Sequence, residues 1–430
     1  MISVLNLIRL IFLFLLLLPV ALFNKNRAIF CFLRIAGPSF IKLGQILSVR
    51  ADLIGDNLAV TLSEFQDKLA PFSSKIVEKS LCREFGKSYK DVFVEFEFTS
   101  IASASIAQVH KAKLHSGKNV AVKIMRPDID KIMARDIKTI KLLTKLIFIF
   151  SRFLSKAMSD IAELLQGTAK SELDLLQEAA NGSKLKEDLR DVKGFFVPEI
   201  YWEFSTSKIL VLEWLDGIPF SDKEAILAAK FDKDKIAENF VISYFSQVYG
   251  NGFFHADMHP GNLFLMDNGD VGVVDFGIMG KIDKKTRLAV AEILISFLNK
   301  DYQRVAQIHI DAELVPSDVD VDELALSCRR IGETIVGSSV ADVSLAKLLS
   351  NLIILTRDYK MVTRPELLLL QKTILLVEGV GVMLNPKLNI WDVARPWVKE
   401  WAKENIGFDA KIRDVMVDLF SLARKFLRNV

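Results

Sequence analysis

Residues 253–277 read FFHADMHPGNLFLMDNGDVGVVDFG, and two chemistries compete for them. His255, Asp257 and His259 alternate, so in extended backbone all three face one side and could ligate zinc. No further cluster completes such a shell: His110, His115 and His309 are isolated, and Cys31, Cys82 and Cys328 lie far apart without CxxC spacing. The competing chemistry is phosphoryl transfer, which needs a carboxylate to orient the attacking hydroxyl or water, cations on the phosphates and a lysine to neutralise charge. Asp257 and Asn262 stand in the spacing HxDxxxxN, Asp275 opens a following DFG, and Lys123 ends an upstream VAVK. Each motif alone is weak; the four residues Lys123, Asp257, Asn262 and Asp275 in that chain order favour phosphoryl transfer. His255 then reads as a structural loop residue, and His259-Pro260-Gly261 shapes the turn before Asn262.

The elements that must position these groups are legible from periodicity. VFVEFEF (92–98) alternates as a strand, NVAVKIM (119–125) is another after the turn HSGK, and the small-residue stretch between them reads as strands joined by a tight loop. SKILVLEWLDG (207–217) reads as a strand ending in a Gly turn. LFLM-DNGD-VGVV reads as a hairpin around Asn268-Gly269, which returns the chain so that Asn262 and Asp275 reach one Mg²⁺ site. Helical periodicity runs from Ala28 to about Ser80, broken at Gly37-Pro38, and Pro38 suits the first turn of the helix SFIKLGQILSVRADL. Lys42 and Gln45 share a face of that helix. A helical run is expected from Asp128 to Lys186, including LLTKLIFIFSRFL as a buried or membrane-facing helix, and nearly everything after Gly280 is helical. PELLLLQKTILLVEGVGVML (365–384) is interrupted by Lys372 and Glu378 and is expected in the core. A last amphipathic helix places Ile412, Val415, Met416, Leu419, Phe420, Phe426 and Leu427 on one stripe, expected to pack on the domain. The order of elements predicts a two-lobed α+β chain with a mostly helical second half, and the resemblance of its motifs to those of kinases implies a bilobal protein-kinase-like fold with an N-terminal helical extension and a mostly helical C-terminal lobe. The expected segments are 1–27 for membrane association, 28–90 for the helical extension, 91–216 for the N-lobe and 217–430 for the C-lobe.

A chain of 430 residues with 56 basic and 53 acidic side chains has a net charge of +3 and no basic patch interleaved with aromatics, so a nucleic-acid partner is not expected. Three scattered cysteines fit a reducing compartment. Ile2–Phe23 is apolar except for Arg9 and long enough to cross a bilayer if Arg9 snorkels, with Lys25 and Arg27 keeping the remaining chain on the cytoplasmic side. A cleaved signal peptide is disfavoured, because the start lacks positive charge and no small-residue cleavage site comes after the apolar run. Spanning and lying in the interface remain open, since Pro19 and Arg9 weaken a straight span.

Two protein-kinase features are missing. No GxGxxG precedes VAVK; Ile101, Ala102, Ser103, Ala104, Ser105, Ile106, Ala107, Gln108 and Val109 stand in its place, where alanine and serine make a stiffer nucleotide loop than glycine. An ordinary small-residue turn would be preferred there if VAVK did not follow. No Ala-Pro-Glu follows Gly277, and RPE at 364–366 is too far downstream to replace it, so a protein substrate is doubtful.

KLGQ at 42–45, ASAS at 102–105 followed by IAQVH, ELD at 172–174, the catalytic loop and DFG together resemble the UbiB family of atypical kinases associated with ubiquinone biosynthesis. The resemblance covers about 37–280. It implies that Lys123 pairs with Glu178, that ATP and Mg²⁺ are the cofactors, and that Asn262 and Asp275 hold the metal while Asp257 orients the acceptor. It implies further that Lys42 and Gln45 fold over the nucleotide pocket, with Lys42 approaching Glu172 and Asp275 and closing off peptide docking. Without the resemblance Lys42 would read as an exposed helix lysine, and Glu172 and Asp174 as a solvated helix face. Glu213 is expected on the strand linking the lobes, near the adenine. Bacterial members often end in paired hydrophobic helices, whereas here the sequence ends at Val430 in the amphipathic helix, so membrane attachment is expected through residues 2–23.

The expectation is a membrane-associated kinase or ATPase supporting ubiquinone biosynthesis at the cytoplasmic face of the inner membrane, with membrane lipid or ubiquinone precursors and other biosynthetic proteins as partners. A small-molecule kinase of the aminoglycoside or choline phosphotransferase type shares the loop HADMHPGN but does not explain KLGQ or ELD. A nucleotide-sensing lipid-binding scaffold without catalysis is the non-enzymatic alternative.

Overall fold

The computed structural model describes residues 2–48, 54–62, 64–65, 70–149, 151–152, 156, 159–160, 162–163, 165–167, 173–316, 318–336, 351, 359 and 364–405. Glu172 and the expected helix from Ile412 to Leu427 lie outside them. In chain order, helices α1 (Ile2–Phe23), α2 (Lys25–Ala36), α3 (Pro38–Ser48), α4 (Asp56–Leu62) and α5 (Ser74–Phe85) precede strands β1 (Phe93–Phe96), β2 (Ala102–Ser103), β3 (Ala107–Leu114) and β4 (Asn119–Met125). Then come α6 (Ile129–Phe148), α7 (Leu175–Asp188), β5 (Phe195–Phe196), β6 (Ile209–Glu213), β7 (Gly217–Pro219), α8 (Lys223–Ala228) and α9 (Lys233–Phe245). After β8 (Phe253–His255), β9 (Leu263–Met266), β10 (Val271–Val273) and β11 (Met279–Lys281) come helices among the described residues: α10 (Lys284–Leu298), α11 (Tyr302–Asp311), α12 (Val321–Val336), α13 (Pro365–Leu384) and α14 (Ile390–Asn405).

The chain divides into two compact units. The first comprises Met1–Lys184, Pro198–Leu215 and Asp275–Gly277. Its antiparallel sheet runs β1-β3-β4-β6, with β2 added to β3. Strand periodicity decides what each face of β4 meets. Val120, Val122 and Ile124 enter one cluster with Val77 and Leu81 of α5, Phe93, Ile209 and Val211. The opposite face, to which Ala121, Lys123 and Met125 alternate, is covered by a second cluster drawing on Leu33, Phe40 and Leu43 of the helical extension, Met133 and Ile137 of α6, and Leu175 and Ala179 of α7. Lys123 therefore emerges on the face that the N-terminal helices cover. Pro38 opens α3 after Gly37, as the helix-start pattern predicts.

α1 is not free of this unit. Asp136 of α6 is buried, and its carboxylate accepts from Asn6 of α1 at 3.0 Å, from Ser39 of α3 at 2.7 Å and from Arg135. Arg9, rather than reaching into solvent as a snorkelling residue would, donates to the Ala36 carbonyl at 2.7 Å. Leu7, Leu10 and Leu17 are buried, while Ile8, Phe12, Leu15, Leu16 and Phe23 are exposed. Leu5–Phe23 has the length and apolarity of a membrane span.

The expected helical run from Asp128 to Lys186 is interrupted. α6 ends at Phe148, and Leu173 and Asp174 are non-helical before α7. The cause is local: the Asp174 carboxylate accepts the Leu176 N–H and so starts a new helix. At the end of α6, Leu146, Phe148 and Ile149 are exposed.

The second unit comprises Leu185–Val197, Asp216–Val274 and Ile278–Val430. It holds a four-stranded sheet, β5-β10-β9-β7, and the pair β11-β8. The Asn268-Gly269 hairpin joins β9 to β10, with Gly269 at φ 86° as this turn requires. The expected strand 207–217 is shorter, Ile209–Glu213, and Gly217, expected in a turn, opens β7, which pairs with β9. Gly217 permits that pairing, since a Cβ there would lie 2.7 Å from the Leu265 carbonyl oxygen. α13 packs against α9, where the Tyr244 hydroxyl donates to the Leu370 carbonyl, and buries Leu370, Ile374 and Val377, as expected of a core helix; α14 brings Trp397 and Trp401 against Phe245 and Tyr249.

Candidate functional site

In the first unit, Lys123 lies mid-strand between Val109 of β3 and Leu210 of β6. Its Nζ donates to both Glu178 oxygens, at 2.8 and 2.9 Å, and to Asp275 Oδ1 at 3.1 Å. Burial alone would push the ammonium down, but the Asp275 and Glu178 carboxylates outweigh it and hold Lys123 above the usual lysine range. Lys123 and Glu178 are nearly enclosed, whereas the Asp275 side chain is 46% exposed. Removing Glu178 alone would leave a buried cation short of a partner, at a cost of roughly 3–5 kcal/mol.

α7 organises the DFG segment as well as the lysine. Glu178, Asn181 and Gly182 lie on one face by their i, i+3, i+4 spacing. Asn181 Nδ2 donates to the Phe276 carbonyl at 2.9 Å, and Gly182 leaves room for the fully buried Phe276 ring. Asp275 sits at φ 65°, a left-handed conformation that aspartate tolerates better than most residues, and its Oδ1 also accepts the Gly277 N–H. Sequence reasoning missed Asn181 and Gly182; a small polar pair one turn beyond Glu178 was their only signal.

The glycine-free loop is a packed hairpin. Ala102 and Ser103 pair with Val109 and Gln108, Ile101 N–H donates to the Val109 carbonyl, and Ala104 N–H to the Ala107 carbonyl. Ile101 and Ala102 are exposed, while Ser105, Ile106, Ala107 and Gln108 are buried. The Gln108 side chain serves the backbone: it brackets the Phe72 N–H and C=O and donates to His110 Nε2 at 2.8 Å. His110 must then carry its proton on Nδ1, which donates to the Glu97 carbonyl. Arg126, unremarked in the sequence, holds the hairpin from below. It donates to the Ala104 carbonyl, Ser103 Oγ and the Ala70 carbonyl.

Glu213 ends β6. Its N–H donates to the Glu199 carbonyl and its carboxylate accepts the Glu199 N–H. Lys42 is buried on α3, contrary to the default for a helix lysine, and Gln45 is half-buried one turn on. Asp174 caps α7 and is not part of a helix face.

In the second unit, Asp257 follows β8. His255 lies on that strand, fully buried, rather than in a loop. Its Nδ1 accepts the Asp257 N–H at 3.1 Å, so Nε2 carries the proton and donates to the Val274 carbonyl. Both ring nitrogens are thus engaged in positioning backbone, which disfavours zinc ligation. His259 Nδ1 accepts the Gly261 N–H and shapes the turn. Asn262 Nδ2 donates to the Asp257 carbonyl at 3.0 Å, leaving its side-chain oxygen as a donor for a cation. Lys372 of α13, which sequence reasoning treated only as an interruption of an apolar run, lies 2.7 Å from Asp257 Oδ1.

Residues 64–309 match the ABC1 atypical kinase-like domain and residues 328–389 the UbiB helical domain. The chain is 37% identical over 409 residues to "Probable protein kinase UbiB" of Histophilus somni, covering 92% of this chain and 75% of the relative. It belongs to the UbiB family. The protein of the same name from Klebsiella pneumoniae is 38% identical over 392 residues, covering 88% of this chain and 70% of that one. A solved structure, the complex structure of Rv3197-erythromycin from Mycobacterium tuberculosis, superposes with a TM-score of 0.55 at 24% identity, over 82% of this chain and 90% of the other. At that identity the likeness concerns the fold alone. The small-molecule phosphotransferase alternative is not favoured, and Lys372 falls within the region matched to the UbiB helical domain.

Proposed function

We propose that this UbiB-family chain is an ATP- and Mg²⁺-dependent atypical kinase or ATPase that supports ubiquinone biosynthesis at the cytoplasmic face of the inner membrane. The observation that carries the reading is the buried Lys123 ammonium, fixed by Glu178 and reaching Asp275. A lysine so placed neutralises the α- and β-phosphates of a nucleotide, and Glu178 keeps its Nζ from turning away. Among the described residues no three His, Cys, Asp or Glu side chains form a metal cage. Hard oxygen donors at Asp275 and Asn262, completed by phosphate oxygens, suit Mg²⁺, which is commonly held by one or two protein groups plus substrate. Bound Mg²⁺ supplies charge neutralisation at the phosphates. Asp257 orients the acceptor, a hydroxyl or water, with its backbone held by His255 and Asn262. The hairpin Ile101–Val109 covers the phosphates, and Lys42 and Gln45 of α3, with Glu172, restrict access to the site.

α1 attaches the chain to the membrane through its exposed apolar residues, with membrane lipid or ubiquinone precursors and other biosynthetic proteins as partners. The test is Mg²⁺-dependent ATP binding and turnover by purified parent, Asp257→Asn and Asp275→Asn proteins. Turnover is expected to fall about 100-fold or more in each, and nucleotide affinity to need Mg²⁺ only in proteins that keep Asp275. Parent-like turnover in both variants refutes the assignment. An unchanged quinone-precursor profile in cells lacking the protein removes the biosynthetic part alone.

A further inference from the structure

From Ile236 to Gly280 the chain carries no lysine or arginine, although Asp257, Asp267, Asp270 and Asp275 all fall in that stretch. The segment holding the acceptor-orienting carboxylate therefore supplies no permanent cation of its own. One arrives from α13, whose 20 residues include only three charged side chains, Glu366, Lys372 and Glu378. A lysine midway along so apolar a helix is costly unless paired, and Lys372 Nζ meets Asp257 Oδ1 at 2.7 Å. The side chains are 30% and 23% exposed, so water screens the pair less than a surface contact.

The backbone on both sides of Asp257 is already fixed, by His255 Nδ1 on its N–H and Asn262 Nδ2 on its carbonyl. What those bonds leave undetermined is the rotation of the carboxylate. Lys372 settles it by holding Oδ1, while Oδ2 faces His259 Nε2 at 3.8 Å. We infer that Lys372 is a positioning residue for Asp257: it orients the carboxylate so that Oδ2 meets the attacking hydroxyl or water, making α13 a working part of the phosphoryl-transfer machinery. This rests on the role proposed above for Asp257.

The experiment is Mg·ATP hydrolysis by the full chain as parent, Lys372→Met, Lys372→Arg, Asp257→Asn and the double variant Asp257→Asn/Lys372→Met. Lys372→Met is expected to lower kcat about 10- to 100-fold and leave KM for ATP within about twofold, because a misaimed carboxylate weakens the reacting geometry and not nucleotide binding. Lys372→Arg should recover much of the loss. The double variant should be no slower than Asp257→Asn alone, since a residue acting through Asp257 has nothing left to orient. A parent-like or faster Lys372→Met beside a slow Asp257→Asn overturns this inference alone, as does a double variant in which the two losses multiply. If Lys372→Met fails to fold, Lys372→Arg and the double variant, which leaves no orphan charge, decide between the same outcomes. An Asp257→Asn protein that matches the parent overturns both the inference and the role it rests on.

Discussion

Gly182 on α7 offers a test in which helix propensity and packing predict opposite signs. A Cβ at this position would lie 2.7 Å from Phe276 Cδ2, 3.0 Å from Cε2 and 3.3 Å from Cγ. Carbon atoms settle at about 3.5–4.0 Å, so in Gly182→Ala the ring must retreat by roughly 0.8 Å. It has little room to do so: Phe276 is fully buried, and Asn181 holds its carbonyl at 2.9 Å. Overpacking of this kind costs about 1–3 kcal/mol, set against a gain of about 1 kcal/mol for alanine over glycine within a helix. Gly379 is the matched control, helical and exposed, with nothing within 4 Å of its virtual Cβ. Gly379→Ala should stabilise by about 0.5–1 kcal/mol, and Gly182→Ala should fall about 1–3 kcal/mol below it in urea unfolding. Because Asp275 precedes Phe276, the displaced ring should also lower Mg·ATP turnover about 10- to 100-fold. If Gly182→Ala stabilised the protein as much as Gly379→Ala and left turnover unchanged, the account of α7 as the support of the DFG segment would be wrong.

Arg126→Met removes the donors to Ala104, Ser103 and Ala70; it should cost about 1–3 kcal/mol, speed amide exchange at Ala104–Ala107 and weaken Mg·ATP binding, and unchanged exchange would show that the hairpin holds itself. Burial pushes His309 below the ordinary histidine value, with its hydrogen bond to the Val305 carbonyl opposing in part, and burial acts on His110 in the same direction. The unfolded chain therefore takes up protons that the native state refuses, so stability is intact above about pH 6.5 and is lost progressively as the pH falls from there toward the lowered native value. Urea midpoints between about pH 7.5 and 5.5 should decline, with a shallower slope in His309→Gln; equal slopes would remove His309 from the account.

Strands and the hairpin were legible because their determinants are local: alternation around VAVK, Asn-Gly at the tip of β9–β10, and Pro38 after Gly37 each act within a few residues. The residue types of the candidate site were legible for the same reason, since spacing such as HxDxxxxN survives in one dimension. The ion pair of Lys123 with Glu178 came from resemblance to a family and not from spacing, because 55 residues separate the partners. The helical periodicity read across 128–186 did not reveal the break at Asp174, whose preference for capping the next helix outweighs the surrounding periodicity.

Sequence by itself determined which groups carry charge and which segments alternate, because ionisation and period are properties of the residues themselves. Only the tertiary structure decided which cation meets which carboxylate. Lys372 reaches Asp257 across 115 residues, Arg126 fastens a hairpin to Ala70, and Asp136 ties α1 to α3, and in none of these does local pattern choose the partner. The physical reason is that a buried polar group must be satisfied by whatever packing brings within about 3 Å, and packing is fixed by the whole apolar surface that each unit has to bury.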